Sequence, residues 1–278
     1  MKHKAPLTLP MRSALLGLIR DETSTFSAST RQALERRGLI SSSGRVTDKG
    51  KKLGIASMPL DEQCLELGLP LRKVEVHSFH APERQALALA KKEGWIGTPY
   101  EGTTILILLK AVLFPTLVCM LRRQLPLWSE GEIESLAARG YFESFASGLA
   151  SSDARMLAEG VFCATEETIG LGFERCKNAS LDLAIASPDL TLDLILSLYN
   201  ALGAKTLHEL VRLIQVDPYR YRKGWPDLTL IRDGVVAFAE VKTSDRLHES
   251  QIETISYVSS VLGKSRFAVW RLVKACHG

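Results

Sequence analysis

Lys223-Gly224-Trp225-Pro226-Asp227-Leu228 runs into a strand-like segment, and Glu240-Val241-Lys242 ends the next one. Arg232-Asp233-Gly234 lies between them and is a strong hairpin signal. Residues two apart in a strand share a face, so Glu240 and Lys242 emerge side by side. A hairpin brings Asp227 back to meet them. Two carboxylates on one face repel unless positive charge sits between them. A hard divalent cation such as Mg²⁺ or Mn²⁺ answers that need, polarising a phosphate and lowering the pKa of an attacking water. Lys242 can orient that water and balance the developing charge. The plainer alternative is a surface hairpin with an incidental Glu–Lys pair. The Val-rich strand leading into Glu240 argues against it.

After the hairpin, the spacing predicts a helix over Glu249 to Leu262 and a strand over Phe267 to Val273. Strand, strand, helix, strand implies an α/β core. Upstream, Pro82 to Glu93 is patterned as a helix, and Gly94 to Tyr100 reads as a break. Thr104 to Leu121 is the most apolar run. It carries Lys110 and Pro115, which favours a buried helix broken near the proline over a membrane span. Residues 125–215 read as mostly helical, with Asp189 or Thr191 able to cap one helix.

Residues 8–58 read as a unit of their own: a helix from Pro10 to Arg20, a second from Thr30 to Arg37, and a small hairpin around Ser41 to Gly44. That order is expected of a winged helix, with Arg36, Arg37 and Lys49 among the cations available to DNA phosphates. The competing reading is a protein-docking module with solvated charges. Residues 59–80 read as a linker, and the catalytic domain as 81–278.

Composition sets the limits. The chain has 278 residues, 46% of them hydrophobic and 24% charged, with a net charge of +4. That is ordinary for a globular protein and permits a polyanionic partner without demanding one. Five cysteines with no CxxC pair suggest neither a disulfide framework nor a Cys-based zinc site. Met1 to Pro10 lacks the apolar core of a signal peptide, so the expectation is cytoplasmic, near the nucleoid in a bacterium or phage, with no membrane partner. Gly-rich phosphate loops are absent, which argues against nucleotide hydrolysis. His77 and His80 read as an ordinary surface pair.

Lys223 to Leu228, Glu240-Val241-Lys242, Asp245-Arg246-Leu247 and Gln251 together resemble the VRR-NUC branch of the PD-(D/E)xK nucleases, and are most similar to the Fanconi-associated nucleases. Gly94-Trp95 followed by Glu101-Gly102 at the head of an apolar helix matches the same family upstream. The resemblance spans roughly residues 80–278. It implies a restriction-endonuclease-like α/β core with a helical insertion. It also implies a metal site of Glu101, Asp227, Glu240 and Val241, a catalytic Lys242 and a supporting Gln251. The implied substrate is branched or flapped DNA in repair, cut by a monomer or a homodimer. Arg220, Arg222, Lys223 and Arg246 then become candidates for gripping DNA, interleaved with Tyr219 and Tyr221. One departure stands out: Thr254 occupies the position of a family aromatic. A restriction, defence or junction-resolving endonuclease is the alternative within the same chemistry. A DNA-binding regulator with an inert nuclease-like domain is the alternative outside it.

Overall fold

The computed structural model describes residues 6–20, 26–179, 188–220 and 223–275. Contacts divide the chain into two compact units. One holds residues 1–68 and 245–253; the other holds 69–244 and 254–278.

In the first unit, α1 (Leu9–Ile19) is capped by Thr8, α2 (Ala28–Arg36) by Ser27 and α3 (Asp48–Ser57) by Thr47. Each cap hydroxyl accepts from a main-chain N–H that the first turn leaves unpaired. Between α2 and α3 the only pairing among the described residues is an isolated bridge from Ile40 to Val46. Met11, Ala14, Leu15, Leu34, Leu39 and Ile40 form the core. α4 (Leu60–Leu67) follows. Its segment reads as linker in the sequence but folds, because Gln63 is fully buried and bonds the main chain of both Ile55 and Leu247.

The second unit is a mixed five-stranded sheet with helices. Its order is β1 (Leu71–Val76), β5 (Phe267–Lys274), β4 (Val235–Lys242), β3 (Leu228–Arg232) and β2 (Ile96–Thr98). β1 and β4 run parallel to β5; β3 is antiparallel to β4, and β2 to β3. Two corrections follow. The 59–80 linker contains an edge strand of the sheet, so the second unit begins at Leu69 rather than 81. The Gly94–Tyr100 break contains β2, where Gly97 passes so close to Thr229 that a Cβ would sit 2.1 Å from its carbonyl oxygen.

α5 (Pro82–Lys92) packs Ala86, Leu87 and Ala90 against Val74, Leu228, Leu230, Ala239, Val241 and Leu272 on one sheet face. Between β2 and β3 the chain makes α6 (Thr103–Gln124), α7 (Glu130–Arg139), α8 (Phe142–Ala146), α9 (Ser151–Glu159), α10 (Glu166–Ala179) and α11 (Leu192–Val216). The last is capped by Thr191 and kinked at Gly203, whose φ is 76°. α12 (Glu249–Leu262) precedes β5.

α6 is the axis of the helical layer and packs on α7, α8, α9, α10 and α11. By length and composition it could cross a membrane, but 72% of its most apolar window is buried inside the protein. It also runs through Pro115 without the break expected from the sequence. Proline cannot donate to the carbonyl four residues back, that of Ala111. Gly172 of α10 lies against that carbonyl, where a Cβ would come within 2.5 Å of its oxygen. Pro115 itself is exposed, and packing along the buried faces of α6 outweighs the roughly 3 kcal/mol interior penalty of proline.

Candidate active site

The β3–β4 hairpin positions the acids. Asp233 (φ 51°) and Gly234 (φ 73°) form its two-residue turn, the conformation that Asp-Gly tolerates best. Leu228 pairs with Ala239, so extending the register by one place sets Asp227 opposite Glu240. Asp227 Oδ2 accepts from Val241 N at 2.8 Å. Lys242 Nζ lies 3.1 Å from Glu240 Oε1. Glu240 is fully buried and Lys242 only 5% exposed.

Burial first, then the neighbouring Asp227, pushes the Glu240 carboxyl well above its ordinary value. Burial also raises Asp227, and the Glu83 and Glu240 carboxyls lie close enough to act on it. Lys242 pulls both acids the other way but does not win. Without a further cation the surroundings therefore disfavour charging both carboxyl groups at once, and one ammonium offsets only part of that cost.

The loop entering Asp227 is clamped. Glu101 Oε1 accepts from Gly224 N at 2.7 Å, and Thr254 Oγ1 donates to the Lys223 carbonyl at 2.6 Å. Gly102 (φ 63°) meets Trp225 so closely that a Cβ would fall 2.6 Å from the indole. Trp225 is 1% exposed and packs on Phe238, which stacks on Phe267.

The structure thus brings Asp227, Glu240 and Lys242 together, with Val241 contributing its N–H. Glu101 reaches the loop before Asp227 through Gly224. Among the described residues no three His, Cys, Asp or Glu side chains converge as a metal-holding group. A further acid that the sequence does not single out, Glu83 in the first turn of α5, acts electrostatically on Asp227. Its signal is faint: Pro82-Glu83 opening a helix, where an acid favours the positive end of the dipole.

The remaining candidates are more dispersed. Gln251 belongs to the first unit, where its Oε1 accepts from His248 N at 2.9 Å and steadies the start of α12. Arg246 Nη1 donates to the Ser57 carbonyl at 2.7 Å, bracing its own loop. Arg220 stacks over Tyr257, 4.7 Å from the ring centroid. Lys223 is exposed, and Arg222 and Tyr221 lie outside the described residues. In the first unit, Arg36 Nε donates to Gln32 O, Arg37 Nη1 to Pro6 O and Lys49 Nζ to the Arg37 carbonyl.

No protein-family profile and no curated protein matches the sequence. Among solved structures, the crystal structure of paFAN1 bound to 2-nucleotide 5′-flap DNA with a gap is similar, with a TM-score of 0.53 and 13% sequence identity. The match covers 96% of this chain and 53% of that one, so the chain spans about half the length of the structure it resembles. At that identity the likeness speaks for the fold alone.

Proposed function

We propose that the chain is a divalent-metal-dependent DNA nuclease acting at flaps or branches. The observation carrying this is the buried Asp227–Glu240–Lys242 cluster at the mouth of the hairpin, where two carboxyl groups are held near each other at an electrostatic cost that a cation would relieve. Oxygen donors with no sulfur or imidazole suit Mg²⁺ or Mn²⁺. Asp227 and Glu240 are the residues to hold such an ion, with Glu83 adding negative potential. A bound ion supplies Lewis-acid activation of the scissile phosphate and a lowered pKa for water.

The chain's own groups do the rest. Asp227 and Glu240 must shed their protons before they can bind. Lys242, fixed beside Glu240, presents an ammonium that can orient the attacking water and offset charge developing on the phosphate. Glu101 and Thr254 hold the Lys223–Gly224 segment and thereby aim Asp227. The fold likeness to a protein solved on flap DNA supports branched DNA as the substrate. A winged-helix role for the first unit, with Arg36, Arg37 and Lys49 on phosphates, belongs to the same proposal.

The test is a panel of labelled flaps, splayed arms, four-way junctions and plain duplex, each with Mg²⁺ and with Mn²⁺. Cleavage of branched substrates is expected to need metal. Asp227→Ala should lower it by roughly 10³-fold, the scale of removing one electrostatic element from an active site, while DNA binding persists. Unchanged cleavage by Asp227→Ala would refute the assigned site. Preference for unbranched duplex would refute the substrate.

A further inference from the structure

The sheet face that carries α5 has a hollow of about 480 Å³ beyond the end of that helix. Trp95 and Trp270 wall it, Ala237 and Ala268 leave its floor low, and Arg72 and Arg266 line it. Alternation along β4 sends Ala237 and Ala239 to this face and Glu240 and Lys242 to the opposite one. The hollow is therefore separate from the candidate active site and independent of the nuclease reading.

Its cations are not alike. Arg72 lies over the Trp270 ring, 4.8 Å from the centroid, and is paired with the Glu93 carboxylate. Arg232 lies over Trp95 at 4.7 Å and donates to the Glu93 carbonyl at 2.8 Å. Both guanidinium groups are thus matched within the protein. Arg266, beside Ala237 when the β4–β5 register is extended by one place, is different. Its Nη1 is buried and finds no acceptor among the described residues. Burying a charged donor without an acceptor is costly, and an acid oxygen is what such a group lacks.

We propose that this hollow binds a small organic monoanion: one carboxylate or sulfonate on a flat, apolar body. The acid group would meet Arg266, whose buried Nη1 would turn toward it, and the body would lie over Ala237 and Ala268 between the indole rings. One negative charge fits, because the Glu93 carboxylate already answers Arg72 and the Asp233 carboxylate lies 3.8 Å from Arg232. The volume falls in the ordinary range for small-molecule sites, and aromatic walls with one placed charge are their usual composition.

The test uses two naphthalene probes of one shape. 8-Anilinonaphthalene-1-sulfonate carries the acid, and N-phenyl-1-naphthylamine does not. Binding is read on the full chain by energy transfer from tryptophan and by calorimetry. Saturable binding of the sulfonate at one site is expected. Arg266→Gln should weaken it by about tenfold or more, a change of about 1.4 kcal/mol. Arg266→Lys should restore part of the affinity, and the neutral probe should bind weakly to every variant. Removing an unsatisfied donor should leave the melting temperature unchanged or raised, which separates loss of the site from loss of the fold. Ala268→Phe, which fills the floor, should abolish sulfonate binding. Equal affinity of Arg266→Gln and the parent, or equal binding of both probes, would overturn the proposal.

Discussion

Two places in the second unit bury charge, and they do it in opposite ways. In the helical layer, Lys110 of α6 is 5% exposed and donates to the Ala138 carbonyl, in the last turn of α7 where a helix end is negative. Burial lowers its pKa, but the neighbouring Cys176 and the buried Glu143 both pull it back up. At the hairpin, burial raises Glu240 and the adjacent Asp227 raises it further. In one place the charged neighbours oppose the cost of burial; in the other a second carboxyl adds to it and Lys242 offsets only part. Compensated charge reads as architecture. Two acids that one ammonium only partly offsets are the ground on which the proposed cation site rests.

The largest effect that could break this contrast is Glu240→Gln. Cleavage should fall by roughly 10³-fold, yet the metal-free protein should melt about 3 °C higher, the shift produced by a gain of about 1 kcal/mol in a chain of this size. The sign follows from proton binding. Asp227 and Glu240 hold protons more tightly folded than unfolded. Without metal, stability is therefore full below the ordinary carboxyl range and declines as pH rises through the raised values. Glu240→Gln should flatten that decline in a series of thermal melts, and added Mg²⁺ should oppose it in the parent only. A variant that melts lower at every pH would mean that the cluster is structural after all.

Lys110→Ala is the mirror experiment. Removing a matched buried partner should cost about 3 kcal/mol by denaturant titration, while kcat of the remaining folded protein stays at the parent value. A fall in kcat without a fall in stability would erase the distinction. Glu83→Gln is expected to be the mildest, with a loss of about tenfold in cleavage, or about 1.4 kcal/mol, and a metal requirement shifted to higher concentration. No change in metal requirement would remove Glu83 from the site.

The hairpin is legible in the sequence because its determinants are local. Asp233-Gly234 dictates the turn, the turn dictates the register, and the register sets Asp227 opposite Glu240. The tail order of strand, strand, helix, strand follows from period alone. What escapes is decided at a distance. Glu83 acts electrostatically on Asp227 from more than a hundred residues away in sequence, and nothing near Pro82 announces it. β2 is three residues long and contains a glycine, so pattern carries no information there. β1 alternates at Val74 and Val76, yet only pairing with β5 shows that it belongs to the sheet. Glu101 is identifiable as an acid at a helix start, but its bond to Gly224 depends on a loop whose path the sequence does not specify.

The meeting of Pro115 and Gly172 has a consequence for how the helical layer tolerates change. Pro115 leaves the Ala111 carbonyl without its helical N–H partner, and only a residue without a side chain can stand in front of it. Sliding α10 along α6 by one turn, about 5.4 Å, would offer it a bulkier residue and close the gap. The two helices are keyed at one point, as a notch fixes a shaft. Insertions between them can lengthen the connecting segments freely without changing where α6 delivers Glu101 and Gly102.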